Sequence, residues 1–346
     1  MRRLCCTLAL IVPFASPALA DDMADCKGNN FDLVVASCTK LIDGGTLSDA
    51  DKASALGSRA WGYKGRGEYD KALADWQACA ATTPQDAYCP AGLADLAMAQ
   101  ANYDEAVKQA DIAIGMNAKY TWPMALKGAA LRAKGTYDQS IEALDQALKI
   151  DPRYTYALYQ RGLSYSNKED YEKAISDYSK ALLIDKTYND VRSSRAYSYF
   201  ASGNIEKATA DIDKVIQDNP GDHYSWALRG YMVVLQEKGD AAKAVGDLDK
   251  AIAMNANTDW YYTYRALGNI KLGKLDLAKA DLDRTIAKYP KAIEDNTYLG
   301  MLKEKQNDKP GAIAAYRVAL ESSATGIDSR RCQEEALNRL AELDAQ

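Results

Sequence analysis

Seven cysteines and a single histidine, His223, limit the chemistry this chain can carry. A Ser-His-Asp or Cys-His arrangement needs an imidazole beside a nucleophile, and no nucleophile motif lies near His223. A structural zinc site wants four Cys or His ligands, commonly with Cys-x-x-Cys steps, and no such step occurs. Gly65-Arg66-Gly67 is too short to cradle a phosphate and reads as a turn. No Asp-x-Asp-x-Asp-Gly calcium loop occurs either. The residues therefore predict no catalytic group, no metal and no cofactor. What the cysteines can do is cross-link. Cys26 with Cys38, and Cys79 with Cys89, would each close a loop of about a dozen residues, worth about 2–3 kcal/mol in the chain-entropy model. That pairing needs an oxidising compartment; buried free thiols are the alternative. Cys332 shares an apolar helical face with Ala336 and Leu340, so it is expected to be buried and inert.

The compartment is read from residues 1–20, which have the pattern of a secretory signal peptide. Arg2 and Arg3 supply the charged start, Leu4 to Phe14 an apolar run too short to span a bilayer, and Ala18-Leu19-Ala20 a cleavage site. A retained anchor is the alternative. A lipoprotein is disfavoured because only Leu4 precedes Cys5 and Cys6 in the apolar run. Cleavage after Ala20 predicts a periplasmic or secreted chain, with no membrane span in its mature part. The net charge of −5, with both signs interspersed, argues against a nucleic-acid partner.

The elements that position these residues repeat. Tyr156 to Asp185 holds two amphipathic helical patterns around a short polar turn, with small Gly162 and Ala174 where the helices must approach and large Tyr165, Tyr171 and Tyr178 to fill the seam. Stepping Tyr171 back by one repeat at a time lands on Tyr137, Tyr103 and Tyr69, and one step forward on Ile205. A fixed period of this size marks a helical solenoid. Eight hairpins follow in phase over residues 49–321. The sixth carries two extra residues near Gln236-Glu237, expected to lengthen its first helix or its turn. Residues 21–48 are expected to form an N-terminal capping segment, with Asp32 to Ile42 a lone second helix and Ser48 with Asp51 a capping box for the next. Residues 322–346 are expected to cap the other end with a helix over 329–344, its apolar side formed by Ala336, Leu337, Leu340 and Leu343.

These positions resemble the tetratricopeptide repeat, whose pattern is W-x2-L-G-x2-Y, then A-x3-F, then A and P. The third hairpin offers Gly128, Tyr137, Ala147 and Pro152, and the fifth Ala196, Tyr199, Ala208 and Pro220. Ile205 and Leu275 replace the turn Tyr, and Ser140 the small Ala. The resemblance implies an all-α fold: a right-handed superhelical solenoid of helix-turn-helix hairpins, with a concave groove lined by the first helices. The family's carboxylate clamp needs a cation at the fifth residue of helix one. The equivalents here are Gly57, Ala91, Ala125, Tyr159, Ser193, Ala227, Thr263 and Thr297, and none is basic.

Two positions change together within the chain. Arg59, Arg161, Arg195, Arg229 and Arg265 sit on helix one of five hairpins, and the same five carry Asp75, Asp177, Asp211, Asp247 and Asp281 on helix two. The other three hairpins have Leu93, Lys127 and Leu299 opposite Gln109, Ala143 and Ala315. The pattern predicts partly buried ion pairs within hairpins, a scaffold device rather than a row of acid–base sites.

Aromatic usage supplies the functional signal, with 23 Tyr against 3 Phe. Ten aromatic residues fall on the first-helix face expected to line the groove: Trp61, Tyr88, Trp122, Tyr156, Tyr159, Tyr197, Phe200, Tyr224, Tyr231 and Trp260. Tyr and Trp offer apolar area with a polar tip and dominate binding hot spots. Packing of each ring against the next hairpin is the competing explanation. The groove reading predicts a non-enzymatic, exported scaffold that binds a protein or peptide segment. The alternative is a module for carbohydrate or envelope polymer, because the same rings stack on sugars.

Overall fold

The structure is a computed structural model and describes residues 17–345, with side chains from residue 21. Arg2, Arg3, Cys5, Cys6 and the apolar run Leu4 to Phe14 lie outside the described residues. Every regular element among the described residues is an α-helix, and the helices pack in successive antiparallel-connected pairs. They form two compact units, divided after Asp185.

The first unit holds α1 (Pro17–Cys26), α2 (Phe31–Asp43), α3 (Asp49–Gly65), α4 (Tyr69–Thr82), α5 (Tyr88–Ala99), α6 (Tyr103–Met116), α7 (Thr121–Ala133), α8 (Tyr137–Ile150), α9 (Thr155–Asn167) and α10 (Tyr171–Ile184). The helix α2 is not the lone element expected. It packs on α1, and the sulfurs of Cys26 and Cys38 stand at bonding distance, 2.11 Å, between them. The helical backbone of α1 runs through the expected cleavage point after Ala20. Asn30 caps α2, accepting from the Asp32 and Leu33 backbone N–H groups. Ser48 opens α3 by accepting from the Asp51 N–H, and its hydroxyl donates to the Asp51 carboxylate at 2.6 Å. Cys79 and Cys89 stand 2.10 Å apart, fastening α4 to α5.

The second unit holds α11 (Asn189–Ala201), α12 (Ile205–Asp218), α13 (His223–Leu235), α14 (Ala241–Met254), α15 (Asp259–Lys271), α16 (Leu275–Lys288), α17 (Ile293–Lys305), α18 (Lys309–Glu321) and α19 (Ile327–Asp344). The two extra residues of the sixth hairpin lie in its turn, since α13 ends at Leu235 and α14 starts at Ala241. The Lys271 ammonium donates to the carbonyls of Val234 and Gln236 and ties that turn down. Helix α19 packs on α17 and α18 and buries Cys332 and Ala336, with Leu340 and Leu343 beside them. Leu337 was expected on that side but is 59% exposed, because the stripe runs Cys332, Ala336, Leu340, Leu343 and Leu337 falls outside it.

The hairpin seam works by size exclusion. A Cβ at Gly162 would stand 2.4 Å from the Tyr178 ring, and one at Gly300 2.3 Å from the Tyr316 ring. Glycine there admits a fully buried tyrosine from helix two, so the close approach and the large side chain are one feature. The turn after helix one needs a left-handed residue. Gly67, Gly135, Gly203 and Gly273 supply it in four hairpins, while Ala101, Glu169 and Asn307 take it in three others.

The five Arg–Asp pairs form. Arg161 donates from Nε and Nη2 to the two oxygens of Asp177 at 2.7 and 2.8 Å, and the other four pairs make the same fork. Some of these arginines also reach back to the preceding element, as Arg59 does to the Thr39 hydroxyl. Arg161 binds Asp145, Arg229 binds Asp213 and Arg265 binds Asp249, at 2.6–2.7 Å. Hydrogen bonding to Asp247, opposed by burial and helped by Asp213, holds the Arg229 guanidinium above its ordinary value. Tyr63, Tyr165 and Tyr199, at one repeated position, each lie beneath this arginine and a lysine of helix two. Those tyrosines belong to the scaffold.

Candidate functional site

Aromatic residues of the first helices gather into one cleft in each unit. In the first unit Trp61 of α3, Tyr88 of α5 and Trp122 of α7 face a space of about 480 Å³, shared with Trp76 and the loop Lys27-Gly28-Asn29. Each ring is half-buried and braced by another. Trp61 meets Phe31 edge-on at 4.7 Å, Tyr88 meets Trp76 at 5.3 Å, and Trp122 meets Tyr120 at 6.1 Å. Trp122 also rests on the alanine-rich seams around Ala91 and Ala94. Lys64 and Asp95 pair across the cleft floor, so the polar groups there are matched. The Cys26–Cys38 link holds the Lys27-Gly28-Asn29 loop at the rim, and the Cys79–Cys89 link sits behind Trp76 and Tyr88.

In the second unit Tyr197, Tyr224, Tyr231 and Trp260 share a smaller cleft of about 240 Å³ with Leu228, Tyr264 and Asp328. Tyr224 is exposed and Tyr231 buried, with Tyr197 and Trp260 between. The Tyr231 hydroxyl donates to both Asp328 oxygens, at 3.0 and 2.9 Å. Burial, reinforced by the Asp328 charge, drives the Tyr231 phenol far above its usual range, so it remains a donor.

The remaining expected residues sit elsewhere. Tyr156 neighbours Tyr154 at 6.2 Å, and burial raises its phenol. Tyr159 packs towards fully buried Tyr178 at 6.1 Å, and Phe200 lies edge-on to Tyr231 at 5.4 Å. Two contributors were not read from the sequence. Tyr264 follows Trp260 by one helical turn, and that spacing alone could have flagged it. Asp328 arrives from α19, 97 residues beyond Tyr231, and no local spacing reveals it. Of the positions equivalent to the carboxylate clamp, Ala91, Ala125, Ala227 and Thr297 are fully buried, and none of the eight is basic.

Paired helices in a repeating hairpin, with first-helix side chains gathered into open clefts, define a helical repeat protein of the solenoid class. Family models agree on which one: residues 128–169 match "TPR repeat", and residues 155–188 and 265–327 match "Tetratricopeptide repeat". The chain thus carries tetratricopeptide repeats over residues 128–188 and 265–327. No curated protein sequence matches it. Among solved structures, the APC/C hetero-tetramer Cut9-Hcn1 is similar at TM-score 0.65 and 14% identity, over 92% of this chain and 62% of that one. This chain thus spans less than two thirds of that relative's length. The human IFIT1 dimer with PPP-AAAA is similar at TM-score 0.57 and 18% identity, over 88% of this chain and 71% of that one. At these identities the likeness shows the fold alone.

Proposed function

We propose that the protein is a non-enzymatic scaffold that binds a protein or peptide segment through the aromatic clefts of its first helices. Tetratricopeptide repeats generally serve as protein–protein interaction scaffolds, and that generality supports the class. The observation that carries the reading is the first-unit cleft. There Trp61, Tyr88 and Trp122, from three successive hairpins, face one open space, and each meets another ring edge-on: Phe31, Trp76 and Tyr120 in turn. Rings that are braced in this way lose little entropy on binding, which suits a hot spot. Lys64 and Asp95 neutralise each other, and among the described residues Lys27 is the one further charged residue lining the cleft.

The setting in this proposal is an oxidising one. Cys26–Cys38 and Cys79–Cys89 at bonding distance fit export to a periplasm or the exterior, and residues 1–20 have the pattern of the signal that would direct it. Among the described residues no helix is long and apolar enough to cross a membrane.

The test is capture with the chain from Asp21 onward as bait, run beside the Trp61→Ala and Trp122→Ala baits. A partner held by the parent should be lost by both variants, and a short synthetic segment of it should compete. If the variants retain every captured protein, or if envelope glycan competes where peptide does not, the reading fails.

A further inference from the structure

The second-unit cleft has the construction of a cation box. Trp260 of α15 stands nearly perpendicular to three tyrosine rings: Tyr224 at 78°, Tyr231 at 84° and Tyr264 at 76°. Tyr231 and Tyr264 are perpendicular to each other, at 83° and 4.8 Å between centroids. Perpendicular rings form walls rather than a stack, and the space they help bound is about 240 Å³. That is below the about 300–1,000 Å³ of pockets for drug-sized ligands, so it suits a head group. Asp328 closes one side and is fixed there, with both oxygens accepting from the Tyr231 hydroxyl and one also facing Arg331 at 3.1 Å. Arg331 lines the neighbouring cavity on the other side of α19, beside Cys332.

Several half-buried aromatic rings elsewhere in this fold are already covered by the chain's own cations. Arg59 and Lys71 cover Tyr63, and Arg229 and Lys250 cover Trp226 at 4.9 and 4.0 Å. Among the described residues no Lys or Arg stands over Tyr231, Trp260 or Tyr264. An electron-rich box with a carboxylate in its wall attracts a cation whose hydration is weak, because ring faces repay little lost water.

We propose that Tyr224, Tyr231, Trp260, Tyr264 and Asp328 form a binding site for an alkylammonium head group. This goes beyond the scaffold reading, since the box takes a free quaternary ammonium solute or a trimethylated lysine side chain of a bound segment by the same chemistry.

Calorimetric titration of the full chain tests it, with choline as probe and its uncharged analogue, in which carbon replaces the nitrogen, as control. Choline should bind saturably and about tenfold or more tighter than the analogue. Trp260 packs on Tyr261 at 4.5 Å and its removal could disturb folding, so exposed Tyr224→Ala and the isosteric Asp328→Asn are the informative variants. Each should weaken choline about fivefold while keeping the parent's helical spectrum. Titration with N-acetyl-trimethyllysine methylamide distinguishes the source: tighter binding than choline points to a side chain, weaker binding to a free solute. Equal affinity for choline and its analogue, no saturable binding of choline or the lysine probe, or unchanged binding in both variants would overturn the site. These small probes involve no protein partner, so their failure leaves the first-unit capture experiment untouched, and the reverse holds too.

Discussion

Arg229 and Asp247 are separated by 18 residues, whereas Arg161 and Asp177, like the partners in the other three pairs, are separated by 16. The fork is nevertheless the same, at 2.7 and 2.8 Å in both. The hairpin keeps its helix-to-helix register and expels the two additional residues into the turn between Leu235 and Ala241. A planar guanidinium meeting a carboxylate bidentately tolerates little sliding, so the pair acts as a register pin.

The pin can be measured by a double-mutant cycle at this pair. Arg229→Ala leaves Asp247, whose side chain is 5% exposed, buried without its main partner, and also frees Asp213. The expected loss is about 1–3 kcal/mol in chemical denaturation. Asp247→Ala should cost a similar amount, and the double variant less than the sum. Additive losses would mean the two side chains do not interact energetically.

Two glycines nearby should respond in opposite directions to alanine. A Cβ at Gly239 would stand 1.9 Å from the Val233 carbonyl oxygen, so the turn backbone must move. Gly246 lies inside α14 with nothing within 4 Å of its would-be Cβ. Gly239→Ala is expected to lower the melting temperature, and Gly246→Ala to raise stability by about 0.5–1 kcal/mol through helix propensity. The same sign for both would show that the turn is not held as described.

Ala101 occupies the left-handed turn position, φ 55°, that four other hairpins give to glycine. Ala101→Gly should relieve that strain and stabilise the protein by up to about 1 kcal/mol, part of the gain being offset by the freer unfolded chain. Thermal unfolding of the single variant decides; a lower melting temperature would contradict it.

Cys332 is the free thiol among the described residues, and burial pushes it up to about 11. The folded value is raised above the ordinary one of about 8.5. Its contribution to stability is therefore complete below pH 8.5 and is lost as pH rises through 11. In the native chain from Asp21 onward, iodoacetamide at about pH 8 should label nothing. After unfolding without reductant it should label Cys332 alone. Five labels on unfolding would refute the Cys26–Cys38 and Cys79–Cys89 links.

Much of this architecture was legible because it repeats. A 16-residue step inside one hairpin places Gly162 against Tyr178 and Arg161 against Asp177, and phase shared by eight hairpins is hard to misread. The backward contacts of Arg161, Arg229 and Arg265 were equally periodic but join different hairpins, and attention to one hairpin at a time hides them. The ends of the array lack the period. There the partner of α2 and the exposed side of α19 at Leu337 were misjudged, since a single amphipathic stretch fixes a face only to within one helical position. Asp328 was invisible for a related reason. A residue brought in by a terminal helix obeys the packing of α19 on α17, which no spacing in the sequence encodes.

The groove is tested most directly by pairing a melting curve with a partner-binding isotherm for Trp122→Ala and Tyr88→Ala. Both side chains line the first-unit cleft, half-buried, on the first helices of successive hairpins. If they are hot spots, each variant keeps the helical spectrum and a melting temperature within a few degrees of the parent, while the captured segment binds about 30-fold more weakly, equivalent to about 2 kcal/mol. If the rings serve packing instead, both variants melt many degrees lower and binding falls only as the fold does. That result, or parental affinity in both variants, would contradict recognition through the aromatic groove.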